Sequence, residues 1–311
     1  MLLKKNGKGA FERMKNYQRT DLATEIYEKE GEKLSGVDQT EEQHGGCKIY
    51  RTEIFDEEAA KQFGKPLGRY ITVVCRNIQY LTREESDKCA EILADELRSL
   101  TEQLLGRMPD AEMQVLAVGL GNQELTADAI GPLTISKLTA TRHLREHETE
   151  LYQALGCSSL SALAPGVLGQ TGIEVLEILR STVDAIRPDL ILVVDALTAG
   201  SCDRLASTVQ FSNVGIVPGS GVGNHRGAIT EATVGVPIIS IGVPTVVNSA
   251  TLVYDALELA NITQIDDQLQ KVLENGRSFF VSPKDSDVLV SHFSKLLSKA
   301  IGLAYVGELP F

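Results

Sequence analysis

PDLILVVDAL, residues 188–197, is an apolar run that ends on an acid. It is apolar at every position from Leu190 to Val194, not at every second one. Both faces of such a strand must be covered, as in a parallel sheet packed between helices. Working outward, QVLAVGLG (114–121) and VPIISIGVP (236–244) read the same way. Helical patterns lie between and beyond them: Asp128 to about Arg142, TGIEVLEILRSTVDAI (171–186), roughly 249–261 and roughly 286–302. Upstream, Thr82 and Glu85 make a capping box for a helix whose Cys89, Leu93, Leu97, Leu100 and Leu104 share one face and which Gly106 closes. KIYRTEIF (48–55) and RYITVVCR (69–76) are rich in β-branched and aromatic residues and read as two strands, whereas the polar stretch 28–47 reads as a loop. The expectation is a three-layer α/β sandwich with a mainly parallel sheet and no linker that would split it.

The composition narrows what such a domain can do. The chain has 311 residues with 30 basic against 42 acidic side chains, a net charge of -12, aromatics at 5% and no Trp. An acidic surface without stacking platforms argues against nucleic acid or an anionic membrane as partner. No run of 18 apolar residues is present, and the N-terminus lacks an apolar signal core, so a cytoplasmic protein is expected. The five cysteines, Cys47, Cys75, Cys89, Cys157 and Cys202, are widely spaced without a CxxC and suggest buried thiols rather than a disulfide framework or zinc knuckle. Charge is uneven: residues 1–20 hold six basic side chains against one acid, a net of +5. Such an arm could lie across the acidic body.

In open α/β sheets the ligand site lies beyond the carboxyl ends of the strands. Asp128 ends the loop after QVLAVG, and Asp195 stands at the end of DLILVV, so topology places two carboxylates at one edge. General acid–base catalysis or metal binding uses such a pair; a helix cap and a loop-bound carboxylate are the structural alternatives. A third loop, from Gly215 to Gly227, holds five glycines together with His225 and Arg226. It can cradle a phosphate or peptide, or be an ordinary surface loop. It is not a P-loop, and GLGNQE is not a dinucleotide fingerprint, since Glu124 stands where the third glycine belongs. No GxSxG or HExxH occurs, so an enzyme here works through carboxylates or a metal that they bind.

The segments VGLGNQELTADAIGP, TRHL, APGVLGQTGIE, PDLILVVDALTAGS, NVGIVPGSGVGNHR and GVPIISIGVPTVV resemble the germination proteases, the spore endopeptidases that degrade small acid-soluble spore proteins. The N-terminal YQRTDLATE and the C-terminal VSPKDSDVLVSHFSKLLSKAIGLA resemble that family too, so the likeness covers nearly the whole chain. It implies a phosphorylase/hydrolase-like fold similar to that of the hydrogenase maturation endopeptidases. It also implies a zymogen of the forespore and spore core, which autoprocesses and acts as a homotetramer. The family's two proposed catalytic aspartates fall on Asp128 and Asp195. Gly119, Gly121, Asn122, Gly219, Gly221, Gly223 and His225 become the expected substrate-binding set, the glycines through their N–H groups. One aspartate would activate water while the other, protonated, polarises the carbonyl, since two close carboxylates cannot easily both ionise. No cofactor is certain, and a divalent metal stays open.

Processing maps between Asp21 and Leu22, which makes 1–21 a basic propeptide and 22–311 a single protease domain. Thr24-Glu25-Ile26 resembles the substrates' own cleavage site, so the Glu25–Ile26 bond is an alternative cut. The chain departs from the family in lacking a long insert before Pro283, in carrying Asn248 where relatives often have Asp, and in its Gln123-Glu124 pair. Two other readings stay open: a metal-dependent maturation-type endopeptidase with His225 opposite the acids, and a non-enzymatic α/β binding module.

Overall fold

The computed structural model describes residues 20–30, 34–75, 78–205, 207–219, 227–262, 265–275 and 279–307. Nine strands form one sheet: β1 (Val37–His44), β2 (Cys47–Ile54), β3 (Gly68–Val74), β4 (Gln114–Gly119), β5 (Ser159–Leu163), β6 (Leu190–Ala199), β7 (Thr208–Ser212), β8 (Ile238–Asn248) and β9 (Phe280–Val281). Their order is β1-β2-β3-β7-β8-β6-β4-β5, with β9 on β8. The apolar runs quoted above make a parallel block of β5, β4, β6 and β8. An antiparallel wing of β1, β2, β3 and β7 continues the same sheet from β8.

Helices cover both faces: α1 (Ala23–Glu30), α2 (Glu57–Phe63), α3 (Arg83–Leu105), α4 (Ile130–Ile135), α5 (Arg142–His147), α6 (Thr149–Leu155), α7 (Leu168–Thr171), α8 (Val175–Ile186), α9 (Glu231–Val234), α10 (Ser249–Leu259), α11 (Asp267–Asn275) and α12 (Ser286–Tyr305). On one face α3, α4 and α12 bury Leu93, Leu97, Ile130, Phe293 and Leu297 against Leu190, Leu192 and Val194 of β6. On the other, Val175, Leu179 and Val183 of α8 pack on Ile191 and Val193. The alternation of β6 between two cores is why no polar residue interrupts it before Asp195. Thr82 and Glu85 form the expected capping box of α3, and Gly106 ends it in the left-handed region at φ 70°.

Two expectations need correction. Within the stretch read as a loop, Val37–His44 is the edge strand β1, and α1 runs to Glu30. Of β1 only Val37 is buried, so it has no apolar alternation to read. The strand is formed by the hairpin turn at Gly45 and Gly46, both at positive φ, which brings His44 opposite Cys47. The single helix expected from Asp128 to Arg142 is also broken. A 3-10 turn, Thr126–Asp128, precedes the short α4, and α5 begins at Arg142. Between them Thr141 turns the chain toward β5: its N–H donates to Leu160 O at 2.9 Å and its hydroxyl to Ser158 O at 2.6 Å.

Candidate active site

The site lies where β4, β6 and β8 end. After Gly119 the chain folds down on the sheet, and Leu120 N donates to Val194 O at 2.8 Å. A Cβ on Gly119 would stand 2.3 Å from Gly131 O, so α4 sits against the strand end only because residue 119 has no side chain. At Gly121 φ is +113°, and a Cβ there would lie 2.0 Å from Asp128 O and 3.0 Å from its Oδ1. These two glycines seat the loop that carries Asp128. That carboxylate, half-buried, accepts from Asn122 N at 2.8 Å through Oδ2. Thr245 of β8 ties the same loop down, donating to Ala127 O at 2.6 Å. Asn122 is tied in turn, its Oδ1 accepting from Glu124 N at 3.0 Å and Gln170 Nε2 at 2.8 Å.

Asp195 is 5% exposed, and its Oδ1 accepts from Ala196 N at 2.9 Å. Across the sheet it pairs with Gly242 of β8, which pairs with Gln210 of β7. Directly paired residues point to one face, so Asp195 and Gln210 stand on the same side with a glycine between them. The Leu197 side chain covers that glycine, 2.2 Å from where a Cβ would be. A cleft of about 960 Å³ runs over this row, with Asp128, Asp195, Gly121, Gly219, Lys65 and Gln210 among its lining.

A piece of the chain already lies in this cleft. Thr20 and Asp21 line it, and Leu22 is fully buried against Leu197. Asp21 N donates to Thr198 O at 2.9 Å, and Thr198 N returns a bond to Asp21 Oδ2 at 2.9 Å. The Asp21 carbonyl accepts from Lys65 Nζ at 3.0 Å and from Gln210 Nε2 at 3.0 Å. Gln210 Oε1 accepts from Ala23 N at 2.7 Å, so one side chain grips the backbone on both sides of Leu22. Glu25 accepts from Gly200 N at 2.8 Å and from the Thr20 hydroxyl. Burial raises the Glu25 pKa, and those two hydrogen bonds oppose the shift in part. Lys65 is half-buried overall with its ammonium enclosed; burial lowers its pKa, and the Asp21 carboxylate pulls it back up.

The pair chosen from topology, Asp128 and Asp195, thus shares one cleft with Gly121 and Gly219, while Gly119 packs beneath it. Gly221, Gly223 and His225 lie outside the described residues. Lys65, Thr198 and Gln210 were not anticipated. Gln210 left one signal, a polar residue at a buried place in the strand TVQFS. Lys65, in a turn before Pro66, left none.

A family model described as germination protease matches residues 12–264. The chain belongs to the germination protease family. The germination protease of Caldanaerobacter subterraneus subsp. tengcongensis is 40% identical over 310 residues, covering 92% of this chain and 93% of that protein. That of Clostridium tetani is 36% identical over 318 residues, covering 92% and 94%. That of a Geobacillus strain is 39% identical over 251 residues, covering 77% and 66%. As a germination protease the chain is an endopeptidase, a hydrolase of internal peptide bonds. No helix among the described residues is long and apolar enough to cross a membrane. For a germination protease, a cleft lined in part by the chain's own N-terminal segment is the feature that most needs a functional account.

Proposed function

We propose that this germination protease cuts itself between Asp21 and Leu22 and then degrades small acid-soluble spore proteins in the spore core, with Asp128 and Asp195 as its acid pair. One observation carries the reading: the Asp21 carbonyl is held by Lys65 and Gln210 in the cleft that both aspartates line. One aspartate takes a proton from water, whose oxygen adds to the Asp21 carbonyl carbon. The carbonyl oxygen becomes negative between the Lys65 ammonium and the Gln210 amide, which strengthen their hold as charge develops. The second aspartate, in its acid form, gives its proton to the leaving Leu22 nitrogen, and the C–N bond breaks.

The same contacts suggest what a substrate needs. The residue before the cut is acidic and its carboxylate accepts from Thr198 N; the residue after it is large and apolar and packs on Leu197. A Glu–Ile or Glu–Phe bond fits that pattern. The Glu25–Ile26 bond of this chain fits it in sequence but lies in α1, with Ile26 N bonded to Leu22 O at 3.4 Å. That favours Asp21–Leu22 as the bond for self-cleavage. In this reading the protein is also a homotetramer. The exposed apolar side chains between Leu252 and Phe279 are surface that such an assembly would cover.

The test is N-terminal sequencing and mass measurement of the full chain after incubation, beside Asp128→Asn and Asp195→Asn. The wild type should begin at Leu22, and both variants should stay intact. Residues 22–311 should then digest a purified small acid-soluble spore protein, with or without a chelator. Normal processing by either variant removes that aspartate from the pair. A chelator-sensitive activity that zinc or nickel restores would replace the reading with a metal-dependent one.

A further inference from the structure

Three of the five cysteines, far apart in sequence, meet in the core. Cys47 opens β2, Cys75 follows the last residue of β3, and the pairing of Lys48 with Val74 sets the two thiols opposite each other. Cys89 comes down on them from the first turns of α3. Cys47 Sγ lies 3.2 Å from Cys75 Sγ and 3.7 Å from Cys89 Sγ, and all three sulfurs fall within 4.8 Å of one another. Each residue is 3% exposed or less, and Ile49, Ile71, Val73, Ile78 and Leu93 belong to the same apolar cluster. The proteolytic site makes no use of these thiols.

We propose that Cys47, Cys75 and Cys89 form a closed three-thiolate site for a soft d10 cation, copper(I) in preference to zinc. A metal–sulfur bond of about 2.3 Å in a trigonal plane puts its sulfurs about 4.0 Å apart; two spacings here, 3.2 and 3.7 Å, fall somewhat short of that value and the third lies within 4.8 Å. Small rotations about the Cα–Cβ bonds close the difference. Among the described residues no further histidine, cysteine or carboxylate joins the cluster. Structural zinc sites take four ligands, whereas an all-sulfur, three-donor, dry site suits copper(I). Thiol protons leave to solvent as the cation enters, and no change of oxidation state is involved. A disulfide would use only two of the three sulfurs and leave the convergence of the third without a reason. The bound ion would add a second tie between the antiparallel wing and α3, which the Arg51–Glu96 pair also joins.

The experiment uses the full chain, reduced and handled without oxygen. Copper(I) is supplied as its acetonitrile complex, zinc chloride is offered in parallel, and excess metal is removed with a competing chelator. Elemental analysis should find about one copper per chain, and copper–sulfur scattering near 2.3 Å should appear in X-ray absorption. The melting temperature should rise with copper(I) and not with magnesium. Cys89→Ala should lose the copper; should it fail to fold, the wild-type spectrum and melting shift decide the matter alone. No metal retained by the wild type overturns the proposal, as does a Cys47–Cys75 disulfide in the freshly isolated protein. Zinc held and copper(I) refused overturns the three-coordinate assignment.

Discussion

Lys65 is the residue on which the proposed chemistry turns most sharply. Its ammonium is one of two donors on the carbonyl that water would attack, and it is the one that carries a charge. Lys65→Met keeps the stem and removes the cation, and it should slow self-cleavage by about 10²–10³-fold, the usual cost of losing one such donor. Lys65→Arg should recover part of that rate, which a purely structural role for the side chain would not require. Gly121 is the matching prediction from the backbone. At φ +113°, with the Asp128 carbonyl oxygen 2.0 Å from any Cβ, Gly121→Ala must displace the acid. It should cost about 1–3 kcal/mol in stability and abolish cleavage, measured by denaturant melts beside the sequencing assay. These residues differ in how visible they were beforehand. Asp128 and Asp195 could be found because Asp195 directly follows an apolar run and Asp128 ends the loop that leaves one. What brings Gln210 to the acids is the register of β7 on β8 across Gly242, which no local pattern encodes, and Lys65 lies in a turn outside any strand, where no pattern marks it.

Among the elements, α1 is the one whose docking should respond to pH. Glu25 has its pKa raised by burial, so the fold favours its neutral form. A raised folded pKa gives stability that is fully present below the ordinary glutamate value and is lost as pH rises through the folded one. The protection of residues 20–30 against hydrogen exchange, relative to the intrinsic rate at each pH, should therefore be greater in mild acid than at neutral pH, and Glu25→Gln should flatten that dependence. An unchanged profile in Glu25→Gln would assign the effect to another group. Lys65 has the opposite sense: its pKa is lowered by burial, so its contribution is lost as pH falls through the folded value. The strands of the parallel block were legible from their apolar runs, and α3 from its caps. The edge strand β1 was not, since seven of its eight residues face water at least in part. Its glutamates have structural work all the same. Arg51 of β2 reaches Glu42 of β1 on one side and the buried Glu96 of α3 on the other. Glu96→Ala should destabilise the wing by about 1 kcal/mol, because Arg51 stays partly exposed and keeps Glu42 and water as partners.

At the scale of the whole molecule the apolar surface is unevenly distributed. Leu259, Val272 and Phe279 are 85%, 63% and 59% exposed, on the stretch where α10 and α11 run. Four copies of a chain of net charge -12 repel one another, so an assembly needs apolar burial to form. Light scattering should give four chains per particle, and Leu259→Asp together with Val272→Asp should reduce that number while leaving the melting of the single chain nearly unchanged. A monomeric wild type at micromolar concentration would end the tetramer reading. The acidic body and its basic first 20 residues were plain from the sequence. Which surface carries the spare apolar residues was not, because α11 has an ordinary amphipathic pattern and only the packing decides whether its apolar side is covered.

The Thr20 hydroxyl has a consequence that appears only once the chain is cut. It accepts from Leu22 N at 3.0 Å and donates to Glu25, standing as a neutral spacer between an amide and an acid. The proposed cleavage after Asp21 would remove the spacer together with the arm. The Leu22 amide would then become an α-ammonium at the head of α1, three residues ahead of Glu25, the spacing from which a glutamate reaches back to the start of its own helix. A positive charge at a helix N-terminus is unfavourable alone, but here it is born beside a carboxylate already held in place. The severed end and Glu25 would then close as an ion pair where a hydroxyl had stood. Burial pushes the Glu25 pKa up in the intact chain, and a new ammonium beside it would pull that pKa back down, so the proposed cut would set a latch that the uncut protein cannot throw.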